Sequence, residues 1–213
     1  MKQVILRKKL NNKAGFSLTE MLVTILLMTI VLSAVTGGIE AARRAYQSVR
    51  LKADAQMLLA TTITEVSTEF ERAKDVKVDA SNKNSISGFY SERRGGDVEF
   101  QNTGWISDSD TDNGKVGILI TNLYDDGSKP YVALVTDDTR GADTLYTKFV
   151  KANDDDTKDP GVPYFVEDDG TEKTGYIQYT IKVYNHKASS AADGSDDMPL
   201  AKQTVSVRPV LWP

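Results

Sequence analysis

The sequence predicts an α+β fold, with a long N-terminal helix packed on a mainly antiparallel β-sheet headpiece. Three observations predict it. Phe16 to Ile39 form a run of 24 apolar or small residues broken by one ionisable group, Glu20. From Leu51 to Ala73 apolar residues recur at spacings of three and four, the period of one helix face. Beyond about residue 86 (in the numbering of the chain), short β-branched and aromatic runs alternate with Gly- and Asp-rich turns. Strands joined by local turns pair antiparallel, and the striped helix face needs a sheet to cover it.

The chain has 213 residues, enough for one domain with an appendage. Its net charge of −4 hides an asymmetry. Residues 1–50 carry eight Lys/Arg against Glu20 and Glu40, a balance of +6, and residues 51–213 carry −10. A basic head on an acidic body suits a membrane-facing end and a solvated end. There is no cysteine, which excludes disulfides, thiolate metal sites and a cysteine nucleophile.

The first element is the apolar run. Residues 1–15 hold five positive charges and no negative one, and 21–35, MLVTILLMTIVLSAV, hold no charge. At 1.5 Å per residue, Phe16–Ile39 as a helix spans roughly 36 Å, enough for a bilayer core of about 30 Å. The positive leader is expected in the cytoplasm and the acidic body outside, although Arg43, Arg44 and Arg50 weaken that bias. A cleaved secretory signal fits the basic start, but the run is long and the small-residue site near Ala34 is poor. A plain anchor fits the length and leaves Glu20 unexplained. A carboxylate in hydrocarbon costs roughly 2.5–3.5 kcal/mol at a helix centre, less near the end, where it can also snorkel to the headgroups.

A third reading rests on KAGFSLTEMLVTILL, where Gly15 and Phe16 stand at the boundary between charge and oil and Glu20 follows at a fixed interval. This stretch resembles the class III signal of type IV pilins and pseudopilins. The resemblance covers about residues 7–40. It implies that a membrane prepilin peptidase cuts between Gly15 and Phe16 and methylates the new amine of Phe16. It also implies that Glu20 pairs with the Phe16 amine of a neighbouring subunit in a filament. Such a pair would offset two burial costs and fix axial register. The site residues implied are therefore Gly15 and Phe16 for processing, and Phe16 and Glu20 for assembly. The expected partners are prepilin peptidase, other pilin or pseudopilin subunits, a filament assembly platform and the membrane. DNA is a partner only if the filament serves competence.

The second element continues the first. Leu51, Ala55, Leu58, Leu59, Thr62, Ile63, Val66, Phe70 and Ala73 form the apolar stripe, and Lys52, Gln56, Glu65 and Glu69 fill the polar side. One helix is expected from about Ser17 to Asp75, roughly 90 Å long. Gly37-Gly38 interrupt it: they either loosen the helix, at about 1 kcal/mol each relative to alanine, or allow close helix packing. The expected organisation is a leader at 1–15, an assembly and transmembrane helix at 16–39, its amphipathic continuation at 40–76, and a β-rich headpiece at 77–213.

Strands are expected in GFYSE, DVEFQ, GILITNLY, YVALVTD, TLYTKFVK, YFVED, GYIQYTIKVYN and KQTVSVRPV. In YIQYTIKVY, Ile177, Tyr179, Ile181 and Val183 share one face, and Gln178, Thr180, Lys182 and Tyr184 the other.

Other chemistry finds little footing. Asp108, Asp110 and Asp112 alternate like the start of an EF-hand, but Asn113 and Leu119 hold the seats that need glycine and glutamate. Asp154, Asp155, Asp156 and Asp159 are a second Asp-rich candidate for structural calcium; solvated loop acids are the favoured reading, and no cofactor or metal is expected. One histidine, His186, and no nucleophile elbow, phosphate loop or zinc pattern argue against an enzyme. Arg43, Arg44, Arg50 and Lys52, or Arg93-Arg94, read as solvated cations before a DNA site, and Trp105 and Trp212 as packing residues. The expected function is a structural subunit of a type IV pilus, type II secretion or competence filament, with the loop-rich body pointing to a minor or tip position; a membrane-tethered binding module or adhesin that never polymerises is the alternative.

Overall fold

A computed structural model describes residues 17–82, 84–102, 117–123, 131–135, 144–153, 159–167, 175–185 and 199–209. Two compact units divide the chain, Met1–Val49 and Arg50–Pro213. Helix α1 (Leu18–Glu71) contributes its first part to one and its last part to the other.

In the first unit, every described residue is exposed. The helix runs without a break through Gly37 and Gly38, and a Cβ added at either would meet nothing within 4 Å. The isolated chain thus keeps the helix intact here, and neither loosening in a filament nor close packing between helices is decided by it. Cooperativity keeps it intact, since two glycines inside a long helix cost about 2 kcal/mol together but break no hydrogen bond.

In the second unit, α1 buries Ala55, Leu58, Leu59, Thr62, Val66 and Phe70, the expected stripe. The helix ends at Glu71, short of Asp75, and Ala73 belongs to a strand that periodicity did not reveal, β1 (Ala73–Asp79). AKDVKVD alternates only weakly, and β1 is bulged between Lys74 and Lys77. Asp75 stands there at φ 48°, a left-handed conformation that aspartate tolerates better than most residues.

The remaining strands are β2 (Ser85–Ser91), β3 (Gly96–Asn102), β4 (Ile118–Leu123) and β5 (Tyr131–Ala133), followed by β6 (Leu145–Phe149), β7 (Tyr164–Glu167), β8 (Gly175–Asn185) and β9 (Pro199–Val207). All eight expected runs contain one. Each pairing among the described residues is antiparallel, in the order β5-β4-β3-β2-β7-β8-β6, with β1 added on β2 and β9 on β8. The fold is α+β, one long helix followed by an antiparallel sheet that curls on itself.

The curl has a visible cause. Strand β2 pairs with β3 only over Phe89–Ser91 and with β7 only at Ser85, so β3 and β7 leave the same edge of β2 in different directions. Strand β8 likewise holds β7 at one end and β6 at the other. The Asn102 side chain then links β3 to β6: its Nδ2 donates to Phe149 O at 2.8 Å, and its Oδ1 accepts from Phe149 N at 3.0 Å. One amide side chain replaces a rung of ladder.

Inside the curl lies an aromatic cluster. Phe70 of α1 meets Phe89 and Phe100 at 5.2 Å and Tyr179 at 5.8 Å between ring centroids, and Phe149 closes the group against Phe100 and Tyr179. Ile177, Tyr179, Ile181 and Val183 are buried on the face the alternation assigned to them. Thr180, on the opposite face, is also buried, because β9 brings Thr204 to its hydroxyl at 2.8 Å.

Candidate functional site

The first described residue, Ser17, is the N-cap of α1. Its Oγ accepts from Glu20 N at 3.2 Å, and its carbonyl accepts from Glu20 N and Met21 N at 3.0 and 3.2 Å. Glu20 answers, its Oε2 accepting from Ser17 N at 3.4 Å. Ser17-Leu18-Thr19-Glu20 is thus a capping box, a serine and a glutamate three apart that satisfy each other's free amides. Sequence reasoning missed Ser17, although the S-x-x-E spacing before an apolar run was the available signal. The acid also stands where the helix dipole favours negative charge. Glu20 therefore has a local role within its own chain, fixing the first turn.

Beyond Glu20 no charge occurs until Glu40. The intervening side chains have no cover: Leu22, Ile25, Leu26, Leu27, Met28 and Ile30 are all more than half exposed. The three threonine hydroxyls inside the run are satisfied locally. Thr24, Thr29 and Thr36 donate their hydroxyls to the carbonyls of Met21, Leu26 and Leu32 at 2.7–2.8 Å. A hydroxyl satisfied by its own helix backbone can enter hydrocarbon already paired. α1 is long and apolar enough to cross a membrane. Past the run, Glu40 and Arg44 pair at 3.1 Å one turn apart on the exposed surface.

Of the three residues assigned to processing and assembly, Glu20 lies in the first turn of α1, and Gly15 and Phe16 lie outside the described residues.

The acids of the headpiece serve its packing. Glu69, assigned to the polar side of the helix, is 1 % exposed. Ser91 Oγ donates to its Oε2 at 2.7 Å and Arg94 Nε to its Oε1 at 3.0 Å, with Arg93 Nη1 3.6 Å away. Arg93 Nη1 also donates to Glu65 Oε2 at 2.8 Å, and this pairing raises the Arg93 pKa above its ordinary value. The turn between β2 and β3 is thus latched to the helix, which corrects the reading of Arg93-Arg94 as free loop cations. Periodicity could not show it, because the partners lie more than 20 residues apart.

Asp159 is 2 % exposed, and its two oxygens accept from Ala152 N at 2.6 Å and Gly161 N at 2.7 Å. It staples its own loop. Asp108, Asp110, Asp112, Asp154, Asp155, Asp156, His186, Trp105 and Trp212 lie outside the described residues. Among the described residues, no group of three or more His, Asp or Glu side chains could hold a metal ion.

The comparison with known proteins bears on the helical end. Residues 10–36 match the family described as the prokaryotic N-terminal methylation motif, the signature of type IV pilin and pseudopilin signals. No curated protein and no solved structure matches the chain. The matched span contains Gly15, Phe16, Ser17 and Glu20.

Proposed function

We propose that this pilin-type precursor, anchored by an apolar helix and bearing the signal that prepilin peptidase processes, is a structural subunit of an extracytoplasmic filament. Cleavage falls between Gly15 and Phe16, and the new Phe16 amine becomes methylated. The headpiece faces away from the cytoplasm, and the helix carries the contacts between subunits. Pilins and pseudopilins are structural proteins, and assembly is the activity proposed for this chain.

One observation supports this reading above the others. Glu20 is the sole ionisable side chain in the uncovered apolar run from Phe16 to Ile39, and it belongs to the matched motif. Its capping contact within the chain is long, at 3.4 Å, and leaves the carboxylate able to accept another donor. After cleavage, the cation nearest to it in sequence is the Phe16 amine, one residue before the cap. A neighbouring subunit's amine completes the charge balance in a low-dielectric contact, which only one axial stagger permits. The full leader carries five positive charges, and its removal is what lets the helix start reach that contact.

The test is Glu20→Ala beside Glu20→Gln. Both variants should insert in the membrane and be cleaved, and both should enter filaments poorly. Gln preserves a capping acceptor, so its failure assigns the defect to lost charge. Normal incorporation of Glu20→Gln would show that the cap alone is what the residue supplies.

A further inference from the structure

Strand β8 runs between β6 and β9, and the two registers meet at one residue. Lys148 of β6 lies opposite Lys182, and Lys182 lies opposite Lys202 of β9. Three lysines thus form a row across three adjacent strands. Directly opposed residues start about 5 Å apart at Cβ, and like charges so placed cost stability. The row lies on the face of β8 turned away from the aromatic cluster, since Ile181 and Val183, on either side of Lys182, are buried in the core. The flanking positions on this face are Tyr146 opposite Tyr184, Thr180 opposite Thr204, and Gln178 opposite Ser206. None of them holds Asp or Glu.

The neighbouring rows are occupied by their own pairings. The Thr180 and Thr204 hydroxyls meet at 2.8 Å, Tyr164 Oη donates to Gln178 Oε1 at 3.1 Å, and Tyr184 stacks on Tyr146, which is buried. Lys202 is engaged by its own chain, its Nζ donating to the Ala152 carbonyl. Lys148 and Lys182 are half-buried, and among the described residues neither takes part in an ion pair. What this face presents is therefore positive charge, on a body that is acidic as a whole. The row belongs wholly to the unit Arg50–Pro213.

We propose that this lysine row docks on acidic surface of a second copy of the chain, in a contact between headpieces; it rests on the filament reading, which brings the copies together. Residues 51–213 carry 18 Lys/Arg against 28 Asp/Glu, a balance of −10. Headpieces set side by side therefore repel unless cations meet acids where they touch. A free polyanion meets the same repulsion with nothing to offset it, whereas copies whose helices share one membrane are held at high local concentration. A single-stranded nucleic acid also needs an exposed ring for its bases to stack on, and Tyr146 beside the row is 1 % exposed. A row of like charges cannot face itself across a two-fold axis. The contact is therefore heterologous, with the lysines of one copy on a different surface of the next, and such contacts build rings and filaments rather than closed pairs.

The test mixes heavy-isotope and light-isotope forms of the full chain in vesicles of phosphatidylcholine and adds a carbodiimide, which joins an amine to a carboxylate in contact. Peptide mass spectrometry should find Lys148, Lys182 or Lys202 joined to an Asp or Glu in products that combine a heavy and a light chain. The heavy–light product should fall about fivefold or more in about 1 M salt, and equally in the double variant Lys148→Gln, Lys182→Gln, the effect of losing exposed ion pairs. The double variant relieves like-charge repulsion, so its Tm should not fall, and the salt arm needs no variant at all. The proposal is overturned if the three lysines yield only same-label products, which would mean that acids of their own chain answer them. It is equally overturned if they yield none, if the double variant cross-links as the parent does, or if a single-stranded oligonucleotide binds and no heavy–light product forms. A chain that gives these products but never acquires a methylated Phe16 amine contradicts the filament reading and keeps this contact; a processed, filament-forming chain without them does the reverse.

Discussion

Among the charged side chains described in the structure, removing the Glu69 carboxylate should be the most damaging single change. Glu69 is buried, and Glu69→Ala strands Ser91 and Arg94 beside an empty space in the core. Breaking a buried pair by removing one partner costs about 3–5 kcal/mol. The Arg94 side chain keeps 22 % exposure and Arg93 47 %, so water recovers part of their charge, and the lower end, about 3 kcal/mol, applies. For a domain of this size each kcal/mol moves Tm by about 2–4 °C, so a fall of about 6–12 °C is expected. The assay is thermal unfolding of the full chain in micelles, followed by near-ultraviolet circular dichroism from the buried aromatic cluster. Arg93→Ala supplies the contrast: its ion pair with Glu65 is largely exposed and should cost at most about 1 kcal/mol. A Glu69→Ala variant within about 0.5 kcal/mol of the parent would show that the latch does not hold the β2–β3 turn, and the reasoning would fail.

Other expectations follow from single contacts. Burial raises the Tyr179 hydroxyl to about 12, offset in part by its hydrogen bond with Ser67. The folded chain therefore holds this proton more tightly than the unfolded chain, and the stability it contributes below pH 10 is lost as pH rises towards 12. Stability measured across that window in Tyr179→Phe should decline less than in the parent. Gly175→Ala should destabilise by about 1–3 kcal/mol in urea unfolding, because the new Cβ would collide with the Phe165 ring and the Val166 carbonyl. Ser17→Ala should cost about 1 kcal/mol of local helix stability, seen as faster amide exchange at Glu20 and Met21. Gly37→Ala should slow amide exchange in the surrounding turns about fivefold, since each replaced glycine contributes about 1 kcal/mol and meets no neighbour in the chain.

Much of this architecture was readable as pattern. Period-two alternation announced β8 through Ile177, Tyr179, Ile181 and Val183, and three–four spacing announced the buried stripe from Ala55 to Phe70. What escaped depends on partners distant in sequence. Glu69 looks like a surface acid until Ser91 and Arg94 arrive beside it. β1 exists because β2 offers it an edge, and its bulge at Asp75 hides the alternation that would mark it. Asp159 reads as one of a run of loop acids, yet its oxygens are spent on two backbone amides. Ser17 is a different case: its signal is local, an S-x-x-E spacing whose glutamate also suits the assembly contact proposed for it.

Assembly as proposed needs a new amine to appear at Phe16 and to meet Glu20 across a subunit contact. Mass spectrometry of the N-terminal peptide from the membrane-extracted chain tests this first requirement most directly. A peptide that begins at Phe16 and carries one added methyl group is the result the account predicts. A retained Met1, or a start just beyond Ala34, would contradict it.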